Sequence, residues 1–127
     1  MMNTWRLDLD GDAQAPRFAR NSARSWLDVI PCQDDTKVDI IIVVSEFVTE
    51  AVNAGAAHVS IGLLFDDGRL RVEVQARQAD TRKAVGVEQA ETMSDRLLAD
   101  HIANTATDIW RRTTALGHVD LWAEVLC

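Results

Sequence analysis

Two glutamates, Glu46 and Glu50, stand four residues apart in the run Val43-Val44-Ser45-Glu46-Phe47-Val48-Thr49-Glu50-Ala51-Val52. On a helix that spacing sets both carboxylates on one face, a turn apart. A carboxylate there can ligate Mg²⁺. Two like charges at ~4 Å repel by on the order of 4 kcal/mol before screening, at an effective dielectric near 20. The default reading of Glu50 is therefore a carboxylate on a solvated face. A second candidate group is cationic. Arg17, Arg20 and Arg24 recur at i, i+3 and i+7 and form one stripe of a helix. Such a stripe is either a solvated face or a strip for an acidic partner helix, because guanidinium groups fork onto carboxylates and stack.

Other chemistry finds little support. His58, His101 and His118 are scattered, with no HxxxH or HExxH spacing, so no metal site is expected. No Ser-His-Asp or Cys-His arrangement has the local context of a nucleophilic site. Cys32 and Cys127 lie at neither CxxC nor metal spacing, and two reduced thiols are the expectation.

The chain of 127 residues is long enough for one core and too short for a second, so residues 1–127 read as a single domain. With 47% hydrophobic residues it can bury that core. A formal charge of −7 argues against nucleic acid and against an anionic membrane surface as partners. The longest aliphatic run, Ile40-Ile41-Ile42-Val43-Val44, is far below the roughly 20 residues that span a bilayer. Met1-Met2-Asn3-Thr4-Trp5-Arg6 has no apolar leader region, and a cytoplasmic protein is expected.

The elements that must position these groups follow from periodicity. Trp5, Leu7 and Leu9 alternate and predict a half-buried strand, broken at Gly11 and Asp12. Phe18, Ala19, Ser22, Ala23, Trp26, Leu27 and Ile30 recur at helical spacing after Pro16, predicting an amphipathic helix that ends near Pro31. A second helix is predicted from a cap at Asp34 or Asp35 to about Asn53. Its centre is apolar all round, which makes it central and buried, and Gly55 stops it. Strands over 57–65 and 69–76 flank Asp66-Asp67-Gly68, a hairpin signal. Periodicity is lost over 77–90, which reads as a loop. A third helix over 91–110 carries Leu98, Ile102, Ala106 and Ile109, and a last strand over 117–126 carries Val119, Leu121, Ala123 and Val125. Trp5, Trp26, Trp110 and Trp122 sit at apolar positions and read mostly as core anchors. This order predicts an α/β (α+β) two-layer sandwich with helices on one face of a mixed, mostly antiparallel sheet.

The run Val43 to Val52 resembles the Val-Val-Ser-Glu-Leu-Val-Thr-Asn-Ala-Val segment of the GHKL (histidine-kinase-like) ATPase family, most closely its RsbW-like anti-sigma-factor serine kinases. Leu70-Arg71-Val72-Glu73-Val74, Asp108-Ile109-Trp110 and Leu121-Trp122-Ala123-Glu124-Val125 resemble later elements of that family in the same order. The resemblance implies the Bergerat-type fold, an Mg-ATP site and dimerisation. It makes Glu46 the general base. The Mg²⁺-holding asparagine falls on Glu50, with Asn53 one turn further on. The adenine-binding aspartate falls on Ala76, which has no acceptor. A buried adenine amino group left unpaired would cost roughly 1–3 kcal/mol. The glycines expected after that position begin only at Gly86, and none lies between Gly86 and Gly117, where the family has a phosphate-cradling turn.

The nucleotide-binding region (Glu50, Asn53, Ala76, Gly86) is thus degenerate. The expected function is that of a cytoplasmic, homodimeric regulator of RsbW-like type. It acts on a protein partner, a sigma factor or an anti-sigma antagonist, through Arg17, Arg20 and Arg24, and has no cofactor. The alternatives are an Mg-ATP-dependent serine/threonine kinase of an antagonist protein, with Glu46 as base, and a small-molecule sensor that reuses the cleft.

Overall fold

The computed structural model describes residues 2–78, 111–115 and 118–127. Arg77 and Gln78, the first residues of the predicted 77–90 loop, are strand instead, and the rest of that loop with Gly86, the predicted helix over 91–110 and Trp110 lie outside the described residues.

The chain runs β1 (Asn3–Asp10), α1 (Ala15–Leu27), α2 (Asp34–Asn53), β2 (Ala56–Asp66), β3 (Arg69–Gln78), β4 (Arg111–Ala115) and β5 (His118–Leu126). The strands form one sheet in the order β1-β2-β3-β5-β4. All four pairings are antiparallel. The two-layer sandwich expected from the sequence is present. Its mostly antiparallel sheet is antiparallel at every described pairing. β4 has no counterpart in the sequence reading, because Arg111-Arg112-Thr113-Thr114-Ala115 alternates no apolar side chains. It pairs along β5, with Thr113 opposite Asp120.

α2 lies over β2, β3 and β5, and α1 packs on α2. The inward rows of the sheet are Val59, Ile61, Leu63 and Phe65 on β2, Leu70, Val72, Val74 and Ala76 on β3, and Leu121, Ala123 and Val125 on β5, all buried. Against them α2 sets Ile40, Val43, Val44, Phe47, Val48 and Ala51, each fully buried. The helix apolar all round at its centre is the central one, as expected. Burying these side chains drives the fold, at roughly 1.5–3 kcal/mol for each full Val, Leu, Ile or Phe.

Two backbone positions shape the connections. Gly11 donates its N–H to the Ala57 oxygen at 2.8 Å, and a Cβ added there would run into the Ala56 carbonyl. The β2–β3 turn holds Asp67 at φ 51° and Gly68 at φ 75°, the pair of positive angles that a tight hairpin turn requires. Gly55, at φ 89°, closes α2 where expected.

Three local readings are corrected. The N-cap of α2 is Gln33, and Asp34 and Asp35 fall inside the first turn, where they still face the positive helix end. Phe18 is not on the buried stripe of α1: it is 59% exposed, and the stripe is Ala15, Ala19, Ala23 and Leu27. Small residues on α1 let it approach α2 closely, so Phe18 is turned away by the register of the alanines. The tryptophans Trp5, Trp26 and Trp122 are half-buried rather than central anchors.

Candidate functional site

The second half of α2 carries the acidic pair. Glu46 is half-buried, whereas Glu50 is 7% exposed, the one buried charged side chain among the described residues. The expectation of a solvated Glu50 is therefore overturned. Its neighbours along the helix, Phe47, Val48 and Ala51, are fully buried, and the helix rotation that sinks them draws Glu50 toward the interior as well. Desolvating a carboxylate is costly, so this placement is a departure from helix-surface behaviour. Asn53, one turn on, is exposed.

The chain leaves α2 at Gly55 and enters β2 at once, which sets the last turn of α2 beside the start of that strand. Val59 on β2 pairs with Ala76 on β3, and Ala76 pairs onward with Val119. Ala76 therefore lies in the inward row at the end of the sheet where α2 terminates, and it is 4% exposed. Glu50 and Ala76 are both buried, Glu46 is half-buried, and Asn53 is exposed. The methyl group of Ala76 offers no acceptor in that row.

The arginine stripe divides. Arg17 and Arg24 are exposed, but Arg20 is half-buried and donates from Nη1 to Ser45 Oγ at 2.7 Å. Arg20 is thus a clasp between α1 and α2, not a free member of a solvated stripe. Beside it a groove of about 430 Å³ runs between the two helices, floored by Leu27, Ile41 and Ile42. Arg24, Lys37 and Asp34 stand on its rim, and Val38, also on its wall, is 58% exposed. This groove was not foreseen. Its signal was present in Val38, Ile41 and Ile42, which extend the apolar surface of α2 beyond the face the sheet can cover.

The helix-free face of the sheet is polar. The Arg71 guanidinium lies 4.3 Å from the ring centroid of Trp122, and its Nε is 2.9 Å from Glu73 Oε1. Such stacking explains why Trp122 stays half-buried on this side. Toward β1, Ser60 donates to Asp8, while His58 Nδ1 stands 3.8 Å from Asp10. Serine and histidine take separate acids, so they do not form a proton relay. No three acidic, histidine or cysteine side chains converge as a metal site among the described residues. No helix among them is long and apolar enough to cross a membrane.

No family model matches the sequence, and no curated protein matches it. Solved structures do share the fold. The crystal structure of the RsbU and RsbW domains of Rv1364c from Mycobacterium tuberculosis superposes with a TM-score of 0.71 at 20% identity, over 98% of this chain and 32% of that one. The present chain thus spans about a third of that protein's length. The SiaB–SiaC complex from Pseudomonas aeruginosa superposes with a TM-score of 0.67 at 11% identity, over 94% of this chain and 88% of that one. At these identities the likeness defines a class by fold: an α+β sandwich of the kind seen in the RsbW-containing and SiaB-containing structures.

Proposed function

We propose that this chain is a regulatory protein of RsbW-like type that acts by contact with a protein partner and whose nucleotide cleft does not hold Mg-ATP. The observation that carries the reading is Ala76. It occupies the position that the family resemblance gives to the adenine-binding aspartate, and it is buried in an apolar row between Val59 and Val119. An adenine amino group brought there would lose its water and gain no acceptor. Glu50, where the resemblance expects an asparagine, adds a second negative charge beside Glu46 and beside any triphosphate.

The partner side of the reading is supported by the exposed Arg17 and Arg24 and by the apolar floor of the neighbouring groove. A sigma factor or an anti-sigma antagonist is the partner class that the resemblance implies. The SiaB structure, which shares this fold, was solved as a complex with a second protein. Cytoplasmic location and homodimerisation belong to the same proposal.

Titration calorimetry with ATP and ADP in the presence of Mg²⁺ tests it, alongside thermal shift. A ligand that binds only the folded state at 100 times its Kd stabilises by ~2.7 kcal/mol, a readily measured shift. The expected result is no heat and no shift at millimolar nucleotide. Micromolar binding would instead favour the kinase reading, with Glu46 as base, and a phosphorylation assay on an antagonist would follow. Binding of another metabolite in the same assay would favour the sensor.

A further inference from the structure

β1 is an edge strand: it pairs with β2 on one side, and no described strand lies on the other. It keeps one register with β2 from Asn3 to Asp10 without a shift, and it contains neither proline nor lysine. A regular, unguarded edge of this kind is a template for another strand. The direction of its free backbone groups follows from Gly11, whose N–H donates to the oxygen of Ala57, the residue that the β1–β2 register sets opposite it. Along an antiparallel ladder such bonded pairs alternate with unbonded ones. Trp5, Leu7 and Leu9 therefore turn their backbone groups toward β2, and Thr4, Arg6, Asp8 and Asp10 turn theirs outward. The side chains alternate as well. Trp5, Leu7 and Leu9 are half-buried against the core, and Arg6, Asp8 and Asp10 are exposed on the other face. α2 lies over β2, β3 and β5, so the apolar row of β1 keeps an open flank.

We infer that this edge pairs with the same edge of a second copy of the chain, β1 antiparallel to β1, with the two-fold axis at Leu7. The inference rests on the homodimer included in the proposed function and gives it a surface and a register. Outward-bonding residues must meet outward-bonding residues, so every symmetric register is centred on a residue and none falls between two. Centring on Arg6 sets Arg6 opposite the partner's Arg6. Centring on Asp8 sets Asp8 opposite the partner's Asp8, and centring on Leu9 sets Asp8 opposite the partner's Asp10. Like charges directly opposite are unfavourable. Centring on Trp5 leaves Leu9 beyond the paired stretch. Centring on Leu7 sets Arg6 opposite the partner's Asp8, Thr4 opposite the partner's Asp10 and Trp5 opposite the partner's Leu9, each twice by symmetry. Ser60 donates to Oδ1 of Asp8, which leaves Oδ2 for the guanidinium across the edge. The strand is thus complementary to itself in charge on one face and apolar on the other. The two sheets become one, and each copy covers the open flank of the other's Trp5, Leu7 and Leu9.

Sedimentation equilibrium of the full chain over a concentration series gives the test. The wild type should reach twice the mass of the chain. Asp8→Pro removes an outward N–H and no bond to β2, so the variant should fold, as read by circular dichroism, and stay monomeric. Arg6→Asp or Asp8→Arg alone sets like charges opposite each other at two symmetric places and should raise the dimer Kd roughly tenfold. The two substitutions together restore opposite charges and should return the Kd to within about threefold of the wild type. Disulfide capture in a Cys32→Ser, Cys127→Ser background reads the register directly. Leu7→Cys lies on the axis, about 4.5 Å from its copy between Cα atoms, and should cross-link on oxidation. Asn3→Cys, about 27 Å from its copy in this register, should not. A wild-type chain that stays monomeric at every concentration overturns the inference and the homodimer of the proposed function together. A dimer that persists in Asp8→Pro, that the charge exchange fails to restore, or that cross-links through Asn3→Cys and not through Leu7→Cys overturns this surface alone.

Discussion

Arg20 on α1 reaches across to α2 and donates to the Ser45 hydroxyl at 2.7 Å, immediately before Glu46 in the sequence. The contact ties α1 to the turn of α2 that carries the acidic pair. A charged donor in a half-buried contact is worth more than a neutral one, roughly 1.5–3 kcal/mol. Arg20→Ala should therefore lower stability by about 1.5 kcal/mol in urea denaturation. Arg17→Glu and Arg24→Glu, at exposed positions, should change it by about 0.5 kcal/mol or less. In a pull-down with the cognate partner, the double reversal of Arg17 and Arg24 should weaken capture while Glu46→Ala leaves it intact. Loss of capture in Glu46→Ala alone would contradict the partner reading.

Gly11 and Gly68 make a contrast in which backbone geometry alone decides the outcome. A Cβ at Gly11 meets the Ala56 carbonyl, so Gly11→Ala must push β1 and β2 apart at their paired end. A cost of about 2–3 kcal/mol is expected, in the range of core overpacking. At Gly68 nothing lies within 4 Å of an added Cβ, and only the positive φ opposes the change. Gly68→Ala should cost about 1 kcal/mol, the ordinary penalty of a left-handed residue. Denaturant midpoints for the two variants, measured side by side, check the ranking.

Much of the fold was legible because its signals are local. α2 was bounded at Asp34 and Asn53 because an apolar run between an acidic start and Gly55 has few other solutions. The hairpin followed from Asp67-Gly68, whose positive φ angles few other residue pairs accept. β4 was missed because Arg111 to Ala115 gains its strand geometry from pairing with β5 rather than from a pattern of its own. The candidate site was less legible. Glu50 and Asp34 have the same charge in sequence, and only the rotation of α2 against the sheet buries one and exposes the other. Arg20 differs from Arg17 and Arg24 only through Ser45, 25 residues away. The substitution at Ala76, by contrast, was readable as soon as the resemblance fixed which position to inspect.

Cys127 gives the chain a stability that depends on alkaline pH. Its thiol, ordinarily at 9.0, is raised to about 12 in the folded state, with burial the largest cause. The folded protein therefore holds this proton over a range in which the unfolded chain has released it. The contribution is fully present below about pH 9 and is lost as pH rises from there toward 12. Under reducing conditions, the midpoint of urea denaturation should fall across that window more steeply in the wild type than in Cys127→Ser. Parallel curves would show that the thiol environment differs little between the two states.

Ala76→Asp separates a cleft that lacks one acceptor from a cleft that lacks more. The new carboxylate enters a row that is 4% exposed at this position, between Val59 and Val119. Burying it without a partner should lower stability by at least about 2 kcal/mol, and protonation on burial would soften but not remove the loss. If the cleft is otherwise intact, Mg-ATP should now satisfy the carboxylate through its adenine amino group and restore part of that stability. Glu50→Asn, combined with Ala76→Asp, removes the repulsion from the triphosphate as well. The expectation under the proposed function is destabilisation in both variants and no recovery at millimolar ATP, because Gly86 is followed by no glycine before Gly117 to form a phosphate-cradling turn. A nucleotide-dependent rise in melting temperature in the double variant, absent from the wild type, would place the whole defect in these two side chains.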